Sequence, residues 1–123
     1  MVVDDEAELA DLYRECLKKS GFQTVSFTNP LLAVEDFCHN IDKYALVITD
    51  LRMPHLNGIE FANEIRHYNQ HVQILLLTAY FDDDRLTSED FINAGFAEVV
   101  EKPVSLKVLL SRVCQLCNSS LRT

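Results

Sequence analysis

Five side chains carry most of the chemistry this chain can do. Asp4 and Asp5 follow the apolar run Met1 to Val3. Asp50 closes the run Leu46 to Thr49, Thr78 follows three leucines at 75–77, and Lys102 stands just past Val99-Val100. Three carboxylates brought close together repel one another and need a compensating charge. A hard dication meets that need: Mg²⁺ takes oxygen ligands and binds one or two carboxylates together with phosphate oxygens. Lys102 would add a fixed positive charge. A carboxylate can also act as a nucleophile and accept a phosphoryl group covalently. The transferred oxygens would then find Mg²⁺, the Lys102 ammonium and the Thr78 hydroxyl as partners.

Such a site exists only if the elements between these residues bring them to one place. The apolar pattern predicts strands at 1–3, 23–27, 44–49, 73–77 and 99–100, each followed by a helix. The first helix covers 6–20, with Leu9, Leu12, Tyr13, Cys16 and Leu17 on its inner face and Gly21 as its stop. Asn29 caps the second, with Pro30 in its first turn and Ala33, Val34 and Phe37 facing inward. The third covers 59–68 and buries Phe61, Ala62 and Ile65. The fourth lies between Thr87 and Ala94 with Gly95 as its stop. Ser105 caps the fifth, which runs through Cys117. The strands lack alternation of polar and apolar residues, which suits burial on both faces of a parallel sheet. The expected fold is therefore α/β, a (βα)₅ three-layer sandwich. In such sheets ligands bind beyond the carboxyl ends of the strands. Asp4, Asp5, Asp50, Thr78 and Lys102 all stand at those ends.

The motifs ValValAspAspGlu at 2–6, ThrAspLeuArgMetPro at 49–54, Asn57-Gly58, Thr78-Ala79 and Lys102-Pro103 resemble, in order and spacing, the receiver domain of two-component response regulators, of the chemotaxis-regulator type. The resemblance covers essentially the whole chain. It implies a flavodoxin-like sheet in the order 2-1-3-4-5. It also implies Asp50 as the phosphoacceptor, Thr78 as the switch hydroxyl and Lys102 as the phosphate-binding lysine, with a cis Lys102-Pro103 bond. Asp5 and Asp50 would bind Mg²⁺ directly, the Arg52 backbone carbonyl would be a further ligand, and Asp4 would act through water. The Arg52 side chain is then free to vary. Gly58 would let the loop turn tightly into the third helix.

The implied function is phosphorelay signalling. A sensor histidine kinase or phosphotransfer protein donates its phosphoryl group, and the face of helix 4, strand 5 and helix 5 switches for a partner or output domain. Turnover chemistry would be limited to self-phosphorylation and self-dephosphorylation. Arg52 and Tyr80, each two positions after a site residue, flank the acceptor, and a bulky Tyr80 would shield the acyl phosphate from water.

Three departures from the family pattern stand out. Val99 occupies the place of the aromatic three residues before the lysine, and Phe96 is out of register. The stretch 79–90 is about two residues longer than usual. Few residues precede the first acid pair. Val99 is the best support for an alternative, a phosphorylation-independent interaction module. A haloacid-dehalogenase-like phosphatase fits poorly, because Asp4 and Asp5 are adjacent and Asp50-Leu51-Arg52 lacks a second acid. A flavodoxin would need a Ser/Thr/Gly-rich loop after the first strand.

Each site residue also has a plainer reading. The acid pair can favour a helix start, Asp50 a turn, Thr78 a strand, and Lys102 can be an ordinary surface lysine. Only their coincidence at one rim argues otherwise.

Bulk properties agree with this picture. With 123 residues one domain is expected, taken as 1–118 with a polar, frayed tail at 119–123. The net charge of -8 argues against nonspecific nucleic-acid binding and against anionic membrane surfaces. No apolar run reaches the roughly 20 residues of a membrane span. With no secretory signal pattern, a cytoplasmic location and free thiols at Cys16, Cys38, Cys114 and Cys117 are expected. Cys114 and Cys117 read as buried core thiols rather than zinc ligands. His67 and His71 read as surface residues, and Asp82 to Asp84 as a solvated loop.

Overall fold

The computed structural model describes the backbone of residues 1–121 and the side chains of residues 1–117. The chain alternates strand and helix as expected: β1 (Val2–Val3), α1 (Ala7–Lys19), β2 (Ser26–Phe27), α2 (Pro30–His39), β3 (Leu46–Asp50), α3 (Gly58–Tyr68), β4 (Gln73–Thr78), α4 (Glu89–Ala94), β5 (Glu98–Glu101) and α5 (Leu106–Leu121). The five strands are parallel, in the order β2-β1-β3-β4-β5. Burial on both sheet faces explains the missing alternation. Val47, Ile48, Ile74, Leu75, Leu76 and Leu77 are all at most 2% exposed, so side chains pointing to opposite faces are equally dry. One face packs on Phe37, Phe61, Ala62 and Ile65. The other packs on Tyr13, Leu17, Leu109 and Val113.

Registry brings the strand ends level. Asp50 pairs with Leu77, and Thr78 with Glu101. Ladder bonds continue past the strands: Asp4 N–H donates to Phe27 O, Leu51 N–H to Leu77 O and Lys102 N–H to Thr78 O. These bonds fix the backbone of Asp4, Asp50, Thr78 and Lys102 along one rim.

Several local expectations are corrected. β2 is two residues long rather than five, because it pairs only with the equally short β1 at the sheet's edge. In α1 the small Ala10 takes an inward position, while Leu12 is 47% exposed. The fourth helix falls between Thr87 and Ala94 as expected, but a short turn that the apolar pattern does not announce precedes it. A 3-10 turn spans Asp84–Thr87, and α4 begins after Ser88, whose hydroxyl accepts from Phe91 N–H. Gly95, at φ 63, ends α4 in the left-handed region that glycine tolerates. Cys114 and Cys117 are half-buried rather than fully buried, Cys117 packing against the core beside Leu17 and Val113, and all four thiols are free. Helix α5 runs past Cys117 to Leu121. Arg122 and Thr123, the end of the tail expected to fray, lie outside the described residues. His67 and His71 are exposed, as expected.

Candidate functional site

The rim forms a cleft of about 240 Å³ lined by Asp5, Glu6, Asp50, Arg52, Thr78, Ala79, Tyr80 and Lys102. Asp4, Asp5 and Asp50 each place a carboxylate oxygen within 4.8 Å of the others. Asp4 lies beneath the cleft, 1% exposed, while Asp5 is open to solvent and Asp50 is half-buried. The Lys102 ammonium donates to Asp4 Oδ2 at 3.1 Å and lies 3.4 Å from Asp50 Oδ1. A carboxylate as dry as Asp4 requires such pairing. Its Oδ1 accepts Glu6 N–H at 2.9 Å. That bond lies just outside α1, whose cap Glu6 makes no side-chain capping bond. The acid pair is therefore no ordinary helix cap.

Asp50 Oδ1 accepts Leu51 N–H at 3.0 Å and faces Lys102. Its Oδ2 takes no hydrogen bond from a protein donor among the described residues, so one oxygen faces the cleft unengaged. Burial pushes the Asp50 carboxyl up to about 6; Lys102 pulls it down without offsetting burial, and the Asp4 charge pushes it further up. For Lys102, burial alone would lower the ammonium's pKa. The Asp50 and Asp4 carboxylates outweigh it and the pKa is raised. Thr78 is 1% exposed, and its Oγ1 accepts Tyr80 N–H at 3.0 Å. The hydroxyl proton is thus left over for another acceptor. The Lys102-Pro103 peptide is cis.

Every site residue expected from the sequence reaches this rim, but two details differ. Gly58 does not serve a tight turn. It is the first residue of α3, behind the Asn57–Glu60 capping box, and its N–H donates to Leu51 O at 2.7 Å. A Cβ there would stand 2.3 Å from the Asp50 carbonyl oxygen, so Gly58 permits close approach of α3 to the strand carrying Asp50. Nor is the Arg52 side chain idle. Its guanidinium carbon lies 3.5 Å from the Tyr80 ring centroid, and its Nη2 lies 3.3 Å from Asp83 Oδ2.

Asp83 is correspondingly not a solvated loop acid. Its carboxylate takes the Arg85 side chain at 2.7 and 3.0 Å and caps the 3-10 turn through Arg85 N–H. Three consecutive acids gave no sign of which one would be paired. Val99 packs with Leu51, Ile59 and Leu76. The nearby aromatics, Phe91 and Phe96, stack on each other at 5.4 Å.

The donor set suits a hard dication. Three carboxylates face one ammonium, leaving an excess of two negative charges and only oxygen ligands. Among the described residues no helix is long and apolar enough to cross a membrane.

Known proteins share this arrangement of elements. The family model described as response regulator receiver domain matches residues 1–114. The transcriptional regulatory protein CpxR homolog of Haemophilus influenzae is 33% identical over 114 residues, which is 92% of this chain but 47% of that protein. The chain thus spans about half the length of that relative. A response regulator receiver domain of Clostridium thermocellum superposes with a TM-score of 0.86 at 25% identity, covering 97% of this chain and 93% of the other. The response regulator TrrA of Thermotoga maritima, solved in complex with Mg²⁺-BeF, gives 0.77 at 32% identity, with 94% and 95% covered. By its family match, its strand order and its rim, this chain belongs to the response regulator receiver domains of two-component signalling.

Proposed function

We infer that this receiver accepts a phosphoryl group on Asp50 from the phosphohistidine of a sensor histidine kinase or phosphotransfer protein. One observation carries this: Asp4, Asp5 and Asp50 converge within 4.8 Å, with the Lys102 ammonium between two of them. Asp50 Oδ2 would attack phosphorus as the bond from phosphorus to the histidine nitrogen breaks. Lys102 and the Thr78 proton are placed to meet the transferred oxygens.

The residues fit Mg²⁺, which when bound supplies charge neutralisation at the phosphoryl oxygens. Asp5, Asp50 and the Arg52 backbone carbonyl would hold it. Asp4, whose oxygens are engaged by Glu6 N–H and Lys102, would act through water. The chain would catalyse only its own phosphorylation and dephosphorylation. The acyl phosphate would bias the face of α4, β5 and α5 between two arrangements, read by a partner or output domain. We place the receiver unit at 1–118 and its work in the cytoplasm.

Intact-mass measurement after incubation with acetyl phosphate tests this. A gain of one phosphoryl group that requires Mg²⁺ and is absent in Asp50→Asn is expected. The second reading, an interaction module that works without phosphate, is favoured by Val99 in place of an aromatic. Absence of any adduct would select it.

A further inference from the structure

The lengthened stretch 79–90 does more than join β4 to α4. Arg52 and Tyr80 both line the cleft that holds Asp50, and they stack on each other there. Neither is anchored by its own burial: the Arg52 side chain is 52% exposed and Tyr80 44%. A long exposed guanidinium arm left alone samples many rotamers. What fixes it is Asp83, whose side chain is 8% exposed and already held by the two-point contact with Arg85. The cap to Arg85 N–H and the turn bond from Asp83 N–H to Tyr80 O tie the same residue to the ring's own backbone. Asp83 is therefore a rigid acceptor joining both layers of the stack. Hydrogen bonds from Arg85, above all, hold its carboxyl well below the usual carboxylate range, so its charge persists wherever the fold does.

We propose that Asp83 is a positioning residue that sets the lifetime of the aspartyl phosphate. By holding the Arg52 guanidinium against the Tyr80 ring, it keeps a two-layer roof over the cleft and limits the entry of water. This rests on Asp50 being the phosphoryl acceptor. In the step it governs, a water oxygen bonds to phosphorus and the bond from phosphorus to the Asp50 oxygen breaks. The carboxylate leaves with the electron pair, the water's proton passes to solvent and inorganic phosphate departs. Asp83 touches none of these atoms.

The test uses the full chain, loaded with acetyl phosphate and Mg²⁺, desalted, and followed by intact mass as the phosphoryl group is lost. Asp83→Asn keeps an oxygen for Arg85 N–H but removes the charge that holds Arg52. It is expected to hydrolyse about threefold faster, the factor an ion pair of modest strength supports. In an Arg52→Ala background, Asp83→Asn should have no further effect. Equal acceleration in both backgrounds, or none in either, would overturn the proposal, since a merely structural role for Asp83 does not depend on Arg52.

A second readout needs no phosphorylation. In the resting protein the Arg52 Nε proton should resonate upfield because of the Tyr80 ring, and should lose that displacement in Asp83→Asn. An unmoved resonance refutes the clasp even if phosphorylation proceeds normally. Failure of the wild type to gain a phosphoryl group, with the resonance behaving as expected, would instead remove the acceptor role of Asp50, and the lifetime role with it.

Discussion

Replacing Gly58 by alanine sets two effects of opposite sign against each other. Alanine is the better helix former, by up to about 1 kcal/mol in a helix interior and less at a first position. Propensity alone therefore predicts a stabilised α3. The new Cβ, however, would lie 2.3 Å from the Asp50 carbonyl oxygen, 3.1 Å from its carbon and 3.0 Å from Leu76 Cδ1. Ordinary contact begins at 3.4 Å, so something must move by about 1 Å. Leu76 can rotate. The Asp50 backbone cannot move cheaply, because its neighbour Leu51 is bonded to Leu77 O and Asp50 lies in the middle of the sheet.

Overpacking a tight site costs roughly 1–3 kcal/mol, and a contact this short against backbone belongs at the upper end. The net expectation for Gly58→Ala is a loss of about 2 kcal/mol in urea unfolding. The displaced Asp50 should also gain its phosphoryl group from acetyl phosphate more slowly, at temperatures where the variant is fully folded. A variant as stable as the wild type, with unchanged phosphorylation, would show that helix propensity wins and that close approach is not the reason for glycine here.

The ionisation of Asp50 gives a second test, best run without divalent metal. Its pKa is raised to about 6 from 3.8, so ionising it opposes folding; the penalty is absent below pH 4, grows between 4 and 6, and is complete above 6. Asp50→Asn should therefore melt higher than the wild type at pH 7, with the difference shrinking towards pH 4. A third test adds Mg²⁺: millimolar ion should raise the wild-type melting temperature, and the rise should be lost in Asp5→Asn. The fourth concerns Arg66, whose guanidinium donates to Ala94 O, Gly95 O, Val72 O and Asn69 O. Arg66→Ala should destabilise by about 2–3 kcal/mol and speed amide hydrogen exchange in α4. Arg66→Lys should recover little, because an ammonium cannot span that fork.

The rim was legible because it depends on position along the chain. A residue that ends a buried run stands at a sheet edge, and a parallel sheet puts all such ends on one side. That logic placed Asp4, Asp5, Asp50, Thr78 and Lys102 together from spacing alone. Pairings across loops leave no such periodic trace. Arg52 and Asp83 are 31 residues apart and meet only because the 3-10 turn brings the second acid of a run inward. The inner face of α1 departs from the helical pattern for a related reason. Leu12 fits the helical period, but small Ala10 fits the space against the sheet. For Gly58 the pattern shows that a glycine is needed but not why: a turn is a local property, whereas the proximity of the Asp50 carbonyl emerges only when α3 docks.

If Thr78 serves as the switch hydroxyl, the bond from Tyr80 N–H to Thr78 Oγ1 would latch its resting position. Should the hydroxyl swing out to greet a phosphoryl oxygen, that amide is abandoned at the very start of the β4–α4 crossover. Losing an intramolecular hydrogen bond of this kind costs on the order of 1 kcal/mol, enough to disfavour spontaneous release about fivefold. The same amide then has to seek a new acceptor, and its search would tug on Tyr80 and, through Asp83, on the turn beyond. A single hydroxyl rotation would in this way be geared to the backbone of the crossover.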